Sequence, residues 1–361
     1  CQKVAQLCAG LSMAVLLVAC GGGGGGEVAD PGPGTGTPTP TPTPTPTALL
    51  DPAIISRLNE GGNDRPFVEI DASGNAIAVW RRELGLQSPP DEEILSRRYV
   101  AGSGWQEILV LASTRADNSD SINQPTLKID PASGKAIAAW VERRANPSNV
   151  PKDYLMARSF DPATGWGAAV VIDADYLSLD DVVSLAIDGS GNAVAGWLRY
   201  EDISTRPYAS YRSGAGAWSA PVRIDNDPEL ANLGTSRPLL TFVAEGKVLA
   251  VWNSSRDNNI ASVWGSSYTP GGGWSTNEVV MRGTLSSGGM GSTRFVGLKA
   301  VASDYNGNAI LAFENQVLLP SPANYELNLW TKRYSGGAWA DDSTAVPVGS
   351  PFSCLNCPSI S

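Results

Sequence analysis

The 361 residues are low in charge, rich in glycine and proline, and carry 11 tryptophans, a composition that suits a turn-rich all-β protein. The formal net charge of -10, with no basic stripe, excludes nucleic acid as a partner. Histidine is absent, which removes Ser-His-Asp and Cys-His nucleophilic catalysis and any His-ligated metal site.

Residues 1–19 have the layout of an export signal, with Lys3 as the positive region and Leu11–Ala19 as the apolar run. That run is too short to span a bilayer stably, and polar glycines follow it at once. Its end, Leu17-Val-Ala-Cys20, resembles the lipobox of bacterial lipoproteins. In that family the signal is cut before the cysteine, which then carries the lipid. The resemblance implies Cys20 as the acylated mature N-terminus and a membrane partner through that anchor. Gly21 in place of Asp at the next position implies the outer membrane. The chain begins with Cys1 rather than Met, as a fragment or a misassigned start would.

Residues 20–47 form a linker. Gly21–Gly26 and the Thr-Pro alternation Thr37–Thr47 have nothing apolar to bury and cannot fold. The Thr-Pro part favours polyproline II and spans on the order of 30 Å as a semi-rigid spacer.

Residues 48–350 repeat one unit at intervals of roughly 55–60 residues. Asp71-Ala-Ser-Gly-Asn-Ala-Ile-Ala-Val-Trp80 returns around Asp130–Trp140, Asp188–Trp197 and Asp304–Phe313, and in worn form as Ala244–Trp252. A glycine-rich turn then leads to a second tryptophan, at Trp105, Trp166, Trp218, Trp274 and Trp339. An aromatic precedes each: Tyr99, Phe160, Tyr211, Tyr268 and Tyr334. Rings at two equivalent places per repeat point to packing between stacked units. Four alternating runs, Phe67–Asp71, Asn75–Arg81, Ile94–Val100 and Glu107–Leu111, predict strands A to D. Four antiparallel strands per unit predict a β-propeller of about five four-stranded blades, or six or seven in a longer chain. Asp51–Arg65 resembles the end of a unit and is expected to add a strand to the last blade. The Asp-x-x-Gly-Asn turn lacks the oxygens and the closing Glu of a calcium loop, so it reads as a tight hairpin turn.

The repeats are similar to those of bacterial surface or periplasmic lipoproteins in the sialidase-like propeller group, over about residues 66–348. The Asp-box Ser-x-Asp-x-Gly-x-Thr-Trp of sialidases is not present, and no arginine triad with a Tyr-Glu pair stands out. The resemblance therefore implies the fold and not sialidase activity.

Up-and-down strands place the tight A–B and C–D turns on one face and the long, variable B–C and D–A connections on the other, where binding is expected. Residues just past strand B would ring the channel mouth: Arg82, Glu83, Glu142, Arg143, Arg199, Glu201, Arg256, Asp257 and Glu314. A polar ligand, glycan or peptide or protein, is the expected partner of this ring, on a monomer. Two alternatives stand beside this binding module. One is a glycoside hydrolase using paired carboxylates among Glu83, Glu142, Glu201, Asp257 and Glu314. The other is a purely structural surface protein whose ring is a rim of surface ion pairs. In the tail, residues 351–361, Cys354-Leu-Asn-Cys357 is expected to form a local disulfide after export. No metal or cofactor is expected.

Overall fold

The computed structural model describes residues 55–56, 61–85, 91–114, 119–144, 152–176, 183–201, 204–226, 235–256, 260–281, 293–318, 324–340, 346–347 and 352–355. Cys20, the linker, Asp257 and Cys357 lie outside them, as does the Cys354 side chain, so the expected lipid site and disulfide fall outside the described residues.

Five antiparallel sheets follow one another along the chain. Blade 1 is β1 (Gly62–Ile70), β2 (Ala76–Leu84), β3 (Asp91–Val100) and β4 (Gly104–Ser113). In blade 2 the first strand is split into β5 (Ser119–Ile122) and β6 (Thr126–Ile129). Both pair with β7 (Ala136–Arg144), which pairs with β8 (Lys152–Asp161), and the outer edge is β9 (Gly165–Trp166) and β10 (Val170–Tyr176). Blade 3 is β11 (Ser184–Ile187), β12 (Ala193–Glu201), β13 (Ser204–Arg212) and β14 (Val222–Arg223). Blade 4 is β15 (Leu239–Ala244), β16 (Lys247–Arg256) and β17 (Ile260–Thr269), with β18 (Gly273–Trp274) and β19 (Glu278–Met281) outside. Blade 5 is β20 (Thr293–Ser303), β21 (Ala309–Leu318) and β22 (Asn324–Ser335), edged by β23 (Ala338–Trp339), β24 (Val346–Pro347) and β25 (Phe352–Leu355). The first strands line up in order, with β1 along β6, β6 along β11, β11 along β15 and β15 along β20. Four-stranded sheets stacked face to face through their first strands make a β-propeller.

The repeated Ala-Ile-Ala-Val-Trp follows from this stacking. A second strand is covered on both faces, so Ala76 to Trp80 are all buried although side chains alternate. Ile77 and Val79 of blade 1 pack onto Ala136, Ala138 and Trp140 of blade 2. Ile137, Ala139 and Val141 of blade 2 meet Ala193, Ala195 and Trp197 of blade 3 in the same way. Branched side chains on one face thus meet alanines and one large ring on the next. Each fully buried ring contributes a few kcal/mol.

The hairpin turns lock in a common way. Asp71 accepts from the backbone N–H of Ser73 and Asn75, both at 2.9 Å, and from the Asn75 amide at 2.8 Å. Asp188 does the same for Ser190 and Asn192. Its Oδ2 also accepts the N–H of Gly246 in the next blade's turn at 3.1 Å. Gly246 has φ +67, and a Cβ there would lie 2.8 Å from Pro270, so the close approach requires glycine.

Two expectations are corrected. Gly62–Arg65 begin β1, in register with Arg82 and Glu83, and do not join the last blade. The last blade takes its outer strands from the C-terminal side, β24 and β25 against β22. Strand B also runs past its large ring in every blade, so Arg82, Glu83, Glu142, Arg143, Arg199, Glu201, Arg256 and Glu314 lie within strands rather than in loops. The reason is hairpin pairing that continues outward, as Glu83↔Glu92 and Arg143↔Asp153 show.

The terminal blades are each less covered on their outer side. Val68 and Ile70 of β1 are 56% and 60% exposed, whereas their counterparts Leu127 and Ile129 in blade 2 are 3% and 4% exposed. On blade 5, Ile310 and Leu329 are 48% and 39% exposed, whereas Ile137 and Leu155 at the same places in blade 2 are 1% and 0% exposed.

Candidate functional site

The nominated charges of the loop face are held by one another and by neighbours. Arg82 pairs with Glu93 at 2.5 Å, Glu83 with Arg81 at 2.7 Å, Arg143 with Asp153 at 3.1 Å and Glu314 with Lys299 at 2.9 Å. Arg199 binds Asp173 through Nε at 2.9 Å and through Nη2, and its guanidinium lies 4.5 Å over the Tyr208 ring. Glu201 accepts from the Tyr208 hydroxyl and faces Arg223 at 3.8 Å. Arg256 is in β16, but its side chain, like Asp257, is outside the described set. The structure therefore distributes these residues among separate pairs, blade by blade.

Several of these pairs satisfy the buried tryptophans. Trp140 Nε1 donates to Glu142 at 2.7 Å, and Arg144 binds the other oxygen of that carboxylate at 2.7 Å. Trp197 Nε1 donates at 3.0 Å to Asp173, on the outer strand of the blade before. Seven residues after the turn tryptophans stand Ala112, Asp173, Asp225 and Met281. Beside Ala112, which offers no side-chain acceptor, Trp140 uses Glu142 of its own strand. Beside Met281 the ring is Phe313, which needs no acceptor. Asp225 instead binds Arg206 at 3.4 Å and Arg223, and Trp252 Nε1 is left without a partner. Burial pushes the Asp225 carboxyl above its usual range. Much of the charge on this face is thus part of the packing.

Blade 1 gathers a second group. Arg81 binds Asp64 at 2.8 Å, Glu83 at 2.7 Å and Glu92 at 3.1 Å. Burial raises the Glu92 carboxyl above the usual glutamate value, although it accepts the Ile122 N–H at 2.5 Å. Among the described residues no group of Asp, Glu or Cys side chains gathers to hold a metal ion.

The opposite, turn-bearing face holds a cleft of about 500 Å³ between blades 2 and 3. It forms where the repeat breaks. In four blades an aromatic at the end of the third strand meets the turn tryptophan, edge-on in three and tilted in blade 4. The pairs are Tyr99–Trp105, Phe160–Trp166, Tyr268–Trp274 and Tyr334–Trp339, with centroids 5.5, 5.3, 5.4 and 5.2 Å apart. In blade 3 that place belongs to Arg212, which pairs with Ala193 and bridges to Trp218. Tyr211 is displaced to the other face, where it stacks on Tyr268 at 4.3 Å.

Arg212 is 8% exposed, and its guanidinium carbon lies 5.5 Å from the Trp218 ring centroid. Its hydrogen-bond partners are neutral: the Ser159 hydroxyl across the junction, and the Gly191 carbonyl at 3.4 Å. Its Nε has none. Burial alone lowers its pKa, with no nearby carboxylate acting against it. A second cation lines the same cleft. Blade 2 carries Lys135 where Asn75, Asn192 and Asn308 bind their turn aspartates. The shortened turn of blade 4 also has lysine, Lys247. Lys135 lies against Gly191, 3.5 Å from where a side chain there would begin. Asp161 is at the rim, its Oδ1 taken by the Ala163 N–H at 2.8 Å.

The expectation that binding residues sit on the loop face did not nominate Arg212 or Lys135. The signal was present as spacing. Tyr211 stands seven residues before Trp218, whereas Tyr99, Phe160 and Tyr268 stand six before theirs, so the packing position in blade 3 is Arg212.

No family model and no curated protein matches this chain. Solved β-propeller structures do. A Hadza microbial sialidase, Hz136, is 15% identical with a TM-score of 0.42, over 77% of this chain and 57% of its own. The GH93 α-L-arabinofuranosidase of Fusarium graminearum is 12% identical with a TM-score of 0.36, over 79% and 66%. The α-L-arabinanase of Penicillium chrysogenum is 12% identical with a TM-score of 0.35, over 62% and 65%. The chain spans less than two thirds of the length of each of these. A likeness at this level carries nothing about ligand or activity.

Proposed function

We propose that this chain is a non-catalytic binding module of the bacterial cell envelope, tethered to the outer membrane through Cys20 and displayed on its Thr-Pro spacer. Its ligand is polar, a glycan or a peptide, and enters the cleft between blades 2 and 3. The observation that carries this reading is the single junction where the repeated aromatic pair is replaced by Arg212 and a cleft opens. A rigid scaffold that departs from its own packing rule at one place has a local reason to do so. The loop-face ring is the weaker candidate because its described charges are engaged with one another. The test is an array of glycans and peptides probed with the full chain and with Ala217→Trp. Ala217 is an exposed cleft-lining residue, so the substitution blocks the opening without entering the core. Binding abolished by the substitution supports the cleft; undiminished binding places the ligand elsewhere.

A hydrolase is the second reading, favoured by the raised Glu92 beside Asp64 and Glu83. Release of reducing ends from a polysaccharide, lost in Glu92→Gln, would establish it over the first.

A further inference from the structure

The group that anchors the ligand follows from what Arg212 lacks, and rests on the cleft being the binding site. Arginine keeps its charge under all ordinary conditions, so the cleft holds a permanent cation that is nine-tenths buried. Buried charges in proteins are normally paired with an opposite charge. Arg81, Arg82, Arg144, Arg199 and Arg206 in this protein each have a carboxylate. Arg212 has a hydroxyl, a carbonyl and a tryptophan face. Lys135, lining the same cleft, adds a second positive charge at a place where three sister turns have a neutral amide and the shortened turn of blade 4 has a lysine. The two departures from the repeat come from different blades and have the same sign.

The geometry points to a carboxylate-bearing ligand whose carboxylate enters the blade 2–blade 3 cleft and supplies the missing counter-charge to Arg212, with Lys135 reinforcing it. The Trp218 ring centroid lies 5.5 Å from the guanidinium carbon, and the neutral bonds to Ser159 and Gly191 leave its charge uncompensated. A carboxylate oxygen is the charge-assisted acceptor that a guanidinium N–H binds most strongly. The glycines of the lining, Gly165, Gly191 and Gly214, keep side chains out of the approach.

The experiment titrates the full chain with D-glucuronate, D-glucose and inorganic phosphate, following tryptophan fluorescence and calorimetry. Saturable binding of glucuronate, with glucose weaker by on the order of tenfold or more, is expected. Arg212→Tyr, which restores the aromatic of the other blades, should abolish that preference in a folded protein. Arg212→Lys should keep part of it, and Lys135→Asn should weaken glucuronate by several-fold. An acid preference that survives Arg212→Tyr, or phosphate binding tighter than glucuronate, overturns the carboxylate assignment. Glucose binding as well as glucuronate also overturns it, yet leaves the cleft in place provided Ala217→Trp abolishes both. Binding indifferent to Ala217→Trp removes the cleft itself, and the absence of any saturable response overturns the assignment.

Discussion

Arg212→Tyr also makes a prediction about stability that needs no ligand. Tyrosine or phenylalanine occupies this position in the other four blades, each against its turn tryptophan at 5.2 to 5.5 Å. The substitution would add an edge-to-face pair worth about 0.5–1.5 kcal/mol beyond its buried area. It would also remove a buried ion whose desolvation costs several kcal/mol when uncompensated. Against this stand a cation–π contact of about 1 kcal/mol and two hydrogen bonds to neutral groups of about 1 kcal/mol each. The balance favours the variant by about 1–2 kcal/mol, and each kcal/mol raises the melting temperature of a domain of this size by roughly 2–4 °C. Scanning calorimetry with a urea titration reads both quantities. A loss of more than about 1 kcal/mol would refute the reasoning, because Arg212 would then be a structural member of the junction and not a group held there against the packing rule.

Other substitutions separate packing from hydrogen bonding. Trp252→Phe should cost only the volume it removes because its Nε1 has no partner, whereas Trp140→Phe should cost about 1.5–3 kcal/mol more by also taking a donor from buried Glu142; equal losses in urea melts would contradict the assignment. Ile310→Lys on the less covered outer side of blade 5 should change stability by less than about 0.5 kcal/mol, while Ile137→Lys at the equivalent buried place should unfold the protein; circular dichroism distinguishes them. Glu92 has its folded pKa raised by burial, so the folded state binds the extra proton and stability falls as pH rises from the ordinary value of 4.5 toward the raised one. Glu92→Gln should flatten that limb of the pH–stability curve, and an unchanged slope would remove Glu92 as its source.

Legibility in the sequence followed the repeat. Asp71–Trp80 and its copies, together with the turn tryptophans, identified the blade, its strand order and its hairpin turns, because those features depend on local alternation and turn chemistry. The same regularity hid the exception. Tyr211 looked like one more packing aromatic; its seven-residue distance from Trp218 marks a slip of one place, and the pairing of Ala193 with Arg212 shows that the slip turns Tyr211 to the opposite face. Glu142 and Arg199 read as members of a ligand-binding ring at the channel mouth because they follow strand B in sequence. Their carboxylate–tryptophan and carboxylate–arginine contacts come from residues on other strands or from side-chain direction, which residue order does not encode.

By itself, then, the sequence determined an all-β propeller blade and its number of copies, since period and alternation are properties of one strand and its turn. Tertiary structure decided which face carries an unpaired charge. Pairing is a property of neighbouring blades: Arg212 meets no carboxylate because what faces it from the blade before is the Ser159 hydroxyl, whereas at the next junction Tyr268 meets the Tyr211 ring.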